Sequence, residues 1–182
     1  MAKNVKPARK SKSRAKKAAN APYDSDKAVR QHLAVLLSGS HAHVWWKNAF
    51  AGVPANLRGV KPGGLPYSLW QLLEHIRISQ WDILEFTRDS KHVSPHWPSG
   101  YWPSNDAPPS DKAWDDSTRA IERGLEDMKR LALNPKTNLY ARIPHGTGQT
   151  ILRELLLLAD HNAYHTGQAV LVRRLLGIWE SS

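Results

Sequence analysis

The sequence predicts an all-α protein, a four-helix bundle with a long crossover between its second and third long helices. Four long segments repeat apolar side chains at the three- and four-residue spacing of an amphipathic helix. No segment alternates apolar and polar residues as a half-buried strand does. Residues 89–110 hold five prolines and are too long for a tight turn between antiparallel neighbours. This connection predicts a bundle that is not a simple up-and-down meander.

The first predicted helix begins after Asp24 or Ser25, either of which can cap it, and ends near Gly39. Its inward positions are apolar and recur at helical spacing: Val29, Leu33, Leu36 and Leu37. A short helix after Ser40 carries the aromatic side chains Trp45, Trp46 and Phe50. Residues 52–66 hold four glycines and three prolines, which predicts a loop.

Three longer helices follow. Ser68 and Gln71 form a capping box at the start of the second long helix, which is predicted to run to about Arg88. The third begins near Ser110 or Asp111, ends at Asn134-Pro135 and turns four large apolar side chains inward: Trp114, Ile121, Leu125 and Met128. The fourth runs from Thr150 to about Leu176, where Gly177 closes it.

The positive charge of the chain is concentrated at its start. The formal net charge is +10, but residues 1–20 carry eight basic side chains and no acidic one, which leaves 18 basic and 16 acidic side chains elsewhere. We therefore expect residues 1–22 to be a disordered basic tail and residues 23–182 to form one folded domain. The tail is either a solubilising or poorly constrained extension, or it makes weak, salt-sensitive contact with nucleic acid or an anionic surface.

Composition excludes several classes of protein. The chain has no cysteine, so it can have no disulfide framework, cysteine-ligated zinc or cysteine nucleophile. No apolar run approaches the roughly 18 residues of a membrane span, and no apolar stretch follows the basic start as in a signal peptide. We expect a cytoplasmic protein without membrane contact.

Two histidines share one face of the fourth long helix. His161 and His165 are four residues apart, so they lie one above the other on a face that also carries Leu158 and Val172. They are either core histidines satisfied by hydrogen bonds or a pair of metal ligands. Asn162 occupies the position at which a zinc-protease helix needs its glutamate, which argues against that class.

Other polar residues are candidates for the surroundings of this pair. His75 lies on the shoulder of the buried face of the second long helix, where its ring can turn inward or outward. Glu154 precedes His161 by seven residues, about 10 Å along the axis, too far to ligate the same ion. Gln168 lies one turn beyond His165, where it can orient a ligand or touch a substrate. The further pocket candidates are Tyr164 and His43.

The crossover is unusually aromatic. Residues 97–103 read Trp-Pro-Ser-Gly-Tyr-Trp-Pro, which predicts that this stretch folds back over the bundle and packs on it. His92 and His96 flank a proline in the same connection, and we expect both to be solvated.

Two segments carry a family resemblance. Residues 68–75, Ser-Leu-Trp-Gln-Leu-Leu-Glu-His, and residues 160–168, with Asp-His-Asn-Ala-Tyr-His and then Gly-Gln, resemble the DinB superfamily of bacterial proteins over about residues 25–179. The resemblance implies an up-down-down-up four-helix bundle. It also implies one divalent ion held by a histidine of the second long helix and an H-x-x-x-H pair of the fourth. These map onto His75, His161 and His165.

The resemblance implies a metalloenzyme of one of two types. Three nitrogen ligands leave a coordination position open, as in catalytic zinc sites. Such an ion, zinc or nickel, activates either water in a hydrolase or a low-molecular-weight thiol in a transferase or isomerase. No general base adjoins the histidines, which mildly favours the thiol, and a thiol has to come from outside the cysteine-free chain.

Three alternatives for the function stay open. The first is the metal-dependent enzyme, whose expected partner is a small-molecule substrate and which can be a homodimer. The chain is alternatively a non-catalytic metal-binding or stress-associated bundle. It is otherwise a nucleic-acid-associated protein that acts through its basic tail.

Overall fold

The computed structural model describes residues 24–39 and 42–179. They form five α-helices: α1 (Ser25–Leu36), α2 (Trp46–Phe50), α3 (Leu69–Arg88), α4 (Asp111–Leu133) and α5 (Ile151–Leu175). Three short 3₁₀ turns lie between them: Ala55–Leu57, Pro62–Gly64 and Ser99–Tyr101. The described residues contain no strand, which confirms the predicted all-α class. The expected basic tail, residues 1–22, lies outside the described residues.

Local capping sets the starts of the long helices where the sequence predicts them, whereas α1 ends at Leu36, three residues before the predicted stop at Gly39. The Ser68 hydroxyl accepts from the Gln71 backbone N–H, and the Gln71 side chain accepts from the Ser68 N–H at 3.1 Å. Asp24, Ser110 and Thr150 accept in the same way at the starts of α1, α4 and α5. At the other end of α5, Gly177 takes the positive φ that its side chain-free backbone permits. In the described chain no helix is both long and apolar enough to cross a membrane.

Helix α3 lies at the centre and packs against both α4 and α5, while α1 packs chiefly on α4 and α2 on α5. The core takes fully buried aliphatic side chains from three helices: Leu72, Leu73, Ile76, Ile121, Met128, Leu155 and Leu158. All four apolar side chains predicted to face inward from α4 are buried. The prediction for Leu36 is wrong: it is the last residue of α1 and is 49% exposed, because Leu37 fills the inward position.

Aromatic and polar side chains join the long helices at several points. The Trp70 and Trp114 rings, near the starts of α3 and α4, lie 6.5 Å apart. Arg88 and Asp127, near the ends of the same helices, form an ion pair. The buried Arg30 of α1 donates to backbone carbonyls at the end of α4 and just beyond it. These contacts link α4 to both α3 and α1.

The crossover between α3 and α4 folds back onto α3, as its aromatic content predicts. The Trp102 ring lies flat on the ring of His75, and the Tyr101 hydroxyl donates to Asp82. The expectation for His92 is wrong, because its side chain is 7% exposed and its Nε2 lies 2.7 Å from the Asp82 carboxylate. A buried carboxylate needs partners, and the crossover histidine supplies one. His96 is exposed, as expected.

Candidate metal centre

Three imidazoles from two helices converge between α3 and α5. His75 comes from α3, His161 and His165 come from α5, and one ligand-capable nitrogen of each lies within 4.8 Å of the other two. The ring of His75 lies 4.9 Å from that of His161 and 4.4 Å from that of His165, centroid to centroid. The His75 ring thus turns inward from its position on the shoulder of the buried face. That the three rings bind a metal ion stays a prediction.

The crossover fixes the orientation of His75. Its Nδ1 lies 2.9 Å from the carbonyl oxygen of Tyr101, so the proton of the neutral ring sits on Nδ1. The Trp102 ring stacks on it with centroids 3.9 Å apart and planes 3° from parallel. Nε2 is therefore unprotonated and turned toward the other histidines, 3.1 Å from Nε2 of His161. This is the arrangement in which imidazole binds a metal ion.

His165 is oriented in the same way from within α5. Its Nδ1 lies 2.7 Å from the amide oxygen of Gln168, one turn further along the helix. A proton on Nδ1 again leaves Nε2 free. The Tyr164 ring packs edge-on against His165, at 4.9 Å between centroids, and its side chain is largely exposed. Of the pocket candidates, Gln168 thus contacts the cluster through a hydrogen bond and Tyr164 through packing.

His161 supplies the test of whether these residues fit a cation. Its buried Nδ1 has no hydrogen-bond partner among the described residues. Its Nε2 faces the unprotonated Nε2 of His75. If the His161 proton is on Nδ1, the lone pairs of the two Nε2 atoms oppose each other. If the proton is on Nε2, the buried Nδ1 has a lone pair and no donor among the described residues. A cation between the rings accepts both lone pairs and removes this conflict. The three side chains therefore fit a divalent ion.

Burial keeps all three rings neutral. Desolvation and the two neighbouring rings lower the pKa of His161 to about 3. Desolvation and His75 lower the pKa of His165 to about 4, and desolvation also lowers the pKa of His75. Neutral imidazoles present lone pairs, so the cluster at physiological pH is a set of electron-pair donors.

These shifts predict how the stability of the metal-free protein depends on pH. Unfolded histidines titrate near 6.5, so below that pH the unfolded chain binds protons that the folded cluster refuses. We expect the free energy of unfolding to be highest above about pH 6.5 and to fall as the pH drops toward 5, measured by urea denaturation in chelator. His161→Gln should flatten this dependence, whereas the same change at the exposed His32 should leave it intact.

The remaining candidates lie outside the cluster. Glu154 is buried and pairs with Arg153 at 2.8 Å. His43 is exposed and lines a cavity of about 440 Å³ that also contacts Trp46 and Asn162. Neither residue belongs to the group of side chains that could hold an ion.

Sequence reasoning missed Tyr101 and Trp102 as residues of the site. The aromatic stretch of the crossover predicts packing on the bundle but does not say on which residue. Tyr101 contacts His75 through its backbone carbonyl, a group that every residue has, so the residue type does not indicate this contact.

The fold and the cluster define an all-helical protein with a buried three-histidine centre compatible with a metal ion. The chain belongs to the DinB superfamily, whose family model matches residues 46–169. This confirms the predicted family over a shorter span than expected, and the span includes all three histidines. No curated protein and no solved structure matches the chain significantly.

Proposed function

We propose that the protein is a divalent-metal-dependent enzyme in which His75, His161 and His165 hold one ion, zinc or nickel. One observation carries the proposal: the three neutral imidazoles converge, and two of them have Nδ1 engaged so that Nε2 is free. The group contains no carboxylate. Three nitrogen ligands without a fourth protein ligand are typical of catalytic rather than structural zinc.

The chemistry expected at such a centre is activation of a small thiol or of water. A bound divalent ion would supply a Lewis acid that lowers the pKa of whichever group occupies its open position. The Tyr101 carbonyl and the Gln168 amide hold the rings of His75 and His165, and Trp102 covers one face of His75.

The surroundings favour the thiol. Hydrolysis needs a base for the attacking water, and neither nearby acid on α5 is placed for it: Asp160 is exposed and Glu154 is paired with Arg153. A thiolate needs no such base once its pKa is lowered. We therefore favour an S-transferase or isomerase that uses an external low-molecular-weight thiol over a hydrolase.

We also propose that α1, α3, α4 and α5 form a bundle with up-down-down-up order. The start-to-start contact of Trp70 with Trp114 and the end-to-end pair of Arg88 with Asp127 support parallel α3 and α4. Arg30, midway along α1, contacts the end of α4, whereas Leu37, just beyond α1, lines a cavity with Leu125, two turns earlier in α4. These two contacts support an antiparallel pair. Antiparallel α3 and α5 are supported by contacts of His75 with His165 and of Gln80 with Asn162.

Cobalt substitution tests the open position directly. We expect one cobalt ion per chain, and a thiolate that binds it should add a charge-transfer band in the near ultraviolet. The cobalt protein would be titrated with several cellular thiols and screened with ester, amide and thiol-transfer substrates. His161→Ala should abolish the response, whereas His32→Ala, at an exposed histidine, is the matched control and should preserve it.

The alternative, a non-catalytic metal-binding or stress-associated bundle, predicts a different result. Cobalt would then occupy the site, yet no thiol or small anion would perturb its spectrum and no turnover would depend on His161. That outcome would contradict the enzymatic proposal while leaving metal binding intact.

The partners beyond the ion are proposals of the same kind. A small-molecule substrate follows from the enzymatic proposal, and a homodimer and a cytoplasmic location remain predictions. Weak contact of residues 1–22 with nucleic acid rests on their charge alone. Deleting them separates this role from the metal centre, because the three histidines lie on α3 and α5.

A further inference from the structure

Asp82 is a buried acid on α3 that holds two points of the crossover. Its side chain is 12% exposed. One carboxylate oxygen lies 2.7 Å from Nε2 of His92, and the other accepts a hydrogen bond of 2.7 Å from the Tyr101 hydroxyl. Burying a carboxylate is costly unless hydrogen bonds compensate it, and both compensating donors come from the crossover.

Tyr101 connects Asp82 to His75: its side chain contacts Asp82 and its backbone contacts His75. Tyr101 donates its O–H to Asp82, and its carbonyl oxygen accepts from Nδ1 of His75 at 2.9 Å. The next residue, Trp102, stacks on the His75 ring. Asp82 and His75 are seven residues apart on α3, about 10 Å along its axis. Residues 92–102 of the crossover are thus held against α3 at two positions, Asp82 and His75.

We propose that Asp82, acting through Tyr101 and Trp102, is a positioning residue that sets the orientation and tautomer of His75 for metal binding. This inference rests on the proposed metal centre. Partners that hold the second ring nitrogen of a histidine ligand typically change metal affinity 10- to 100-fold when they are lost.

The protonation of Tyr101 agrees with this role. Burial, followed by the hydrogen bond to Asp82 and the charge of that carboxylate, raises the pKa of Tyr101 to about 12. The hydroxyl therefore stays protonated across the physiological range and keeps donating to Asp82.

Tyr101→Phe removes the hydroxyl and leaves the ring, the backbone carbonyl and all three histidines in place. We expect it to weaken cobalt binding about 10-fold, measured by competition with a chromophoric chelator, and to change the visible ligand-field bands of the bound cobalt. Tyr140→Phe, at an exposed tyrosine beyond α4, is the matched control and should match the unaltered protein in both measurements. His92→Ala breaks the other contact of Asp82 and should weaken cobalt binding in the same direction.

The cobalt readouts separate positioning from packing. If Tyr101→Phe and His92→Ala lower thermal stability but bind cobalt with unchanged affinity and spectrum, the inference is overturned and the Asp82 contacts merely anchor a loop. Should Tyr101→Phe fail to fold, His92→Ala decides by the same criterion. Absence of cobalt binding by the unaltered protein would overturn the metal centre itself, which is a distinguishable result.

Discussion

Replacing His161 with alanine should abolish the stabilisation that a divalent ion gives this protein. A ligand that binds only the folded state stabilises it by about 4 kcal/mol when its free concentration is a thousand times its dissociation constant. His161 is one of the two rings of α5 that face His75, and its Nε2 lies 3.1 Å from Nε2 of His75. Without it the two remaining rings cannot surround an ion. We expect the melting temperature of the variant to be the same with zinc and with chelator.

The comparison needs metal content as well as melting temperature, because the variant also changes the metal-free core. Elemental analysis of untagged protein should give about one ion per chain before the change and none after it. His32→Ala removes an exposed imidazole from α1 and controls for loss of a surface histidine. Retention of a full equivalent of metal by His161→Ala would place the ion elsewhere and refute the three-histidine assignment.

The positions of the helices could be predicted because their signals are local. The capping box of Ser68 and Gln71 and the stop at Gly177 depend on residues within one turn of each other. The placement of His161 and His165 on one face follows from helix geometry in the same way. Such features depend on short-range chemistry, and the structure places them within a residue or two of the prediction.

The inward turn of His75 could not be decided from the helix alone. Its shoulder position allows either direction, and what holds it inward is Tyr101 and Trp102, more than 20 residues further along the chain. His92 illustrates the same limit. A polar residue in a proline-rich connection is usually solvated, and it is the buried Asp82, on another element, that draws it in.

Arg30 is the clearest case of a structural role that residue type conceals. An arginine on a surface helix is normally exposed, and nothing near it in sequence marks it as buried. Its guanidinium donates to the carbonyls of Ala132, Asn134 and Thr137, which lie more than 100 residues away. Those carbonyls lie at and just beyond the end of α4, where backbone acceptors lose their intrahelical partners.

Arg30→Met should therefore destabilise the protein strongly, although it conserves much of the side-chain volume. It removes three charge-assisted hydrogen bonds of 2.6–2.9 Å to backbone carbonyls and the 2.7 Å ion pair with Asp26. The carbonyls of Ala132 and Thr137 are then left without a donor among the described residues. We expect a loss of about 3 kcal/mol in the free energy of unfolding and a fall of roughly 6–12 °C in melting temperature. The stability of Arg30→Lys should lie between those of Arg30→Met and the unaltered protein, since one ammonium group cannot donate to all the acceptors that the guanidinium reaches.

The matched control is Arg119→Met on the outer face of α4. Arg119 forms an ion pair with Asp116 in which both side chains are about half exposed, at 53% and 50%. Solvent screens such a pair, so its loss should not change the melting temperature measurably. Equal destabilisation by the two substitutions would show that Arg30 contributes no more than a surface charge. A large loss confined to Arg30 would instead establish that its hydrogen bonds link the middle of α1 to the end of α4, one of the contacts that support the proposed antiparallel pairing of these helices.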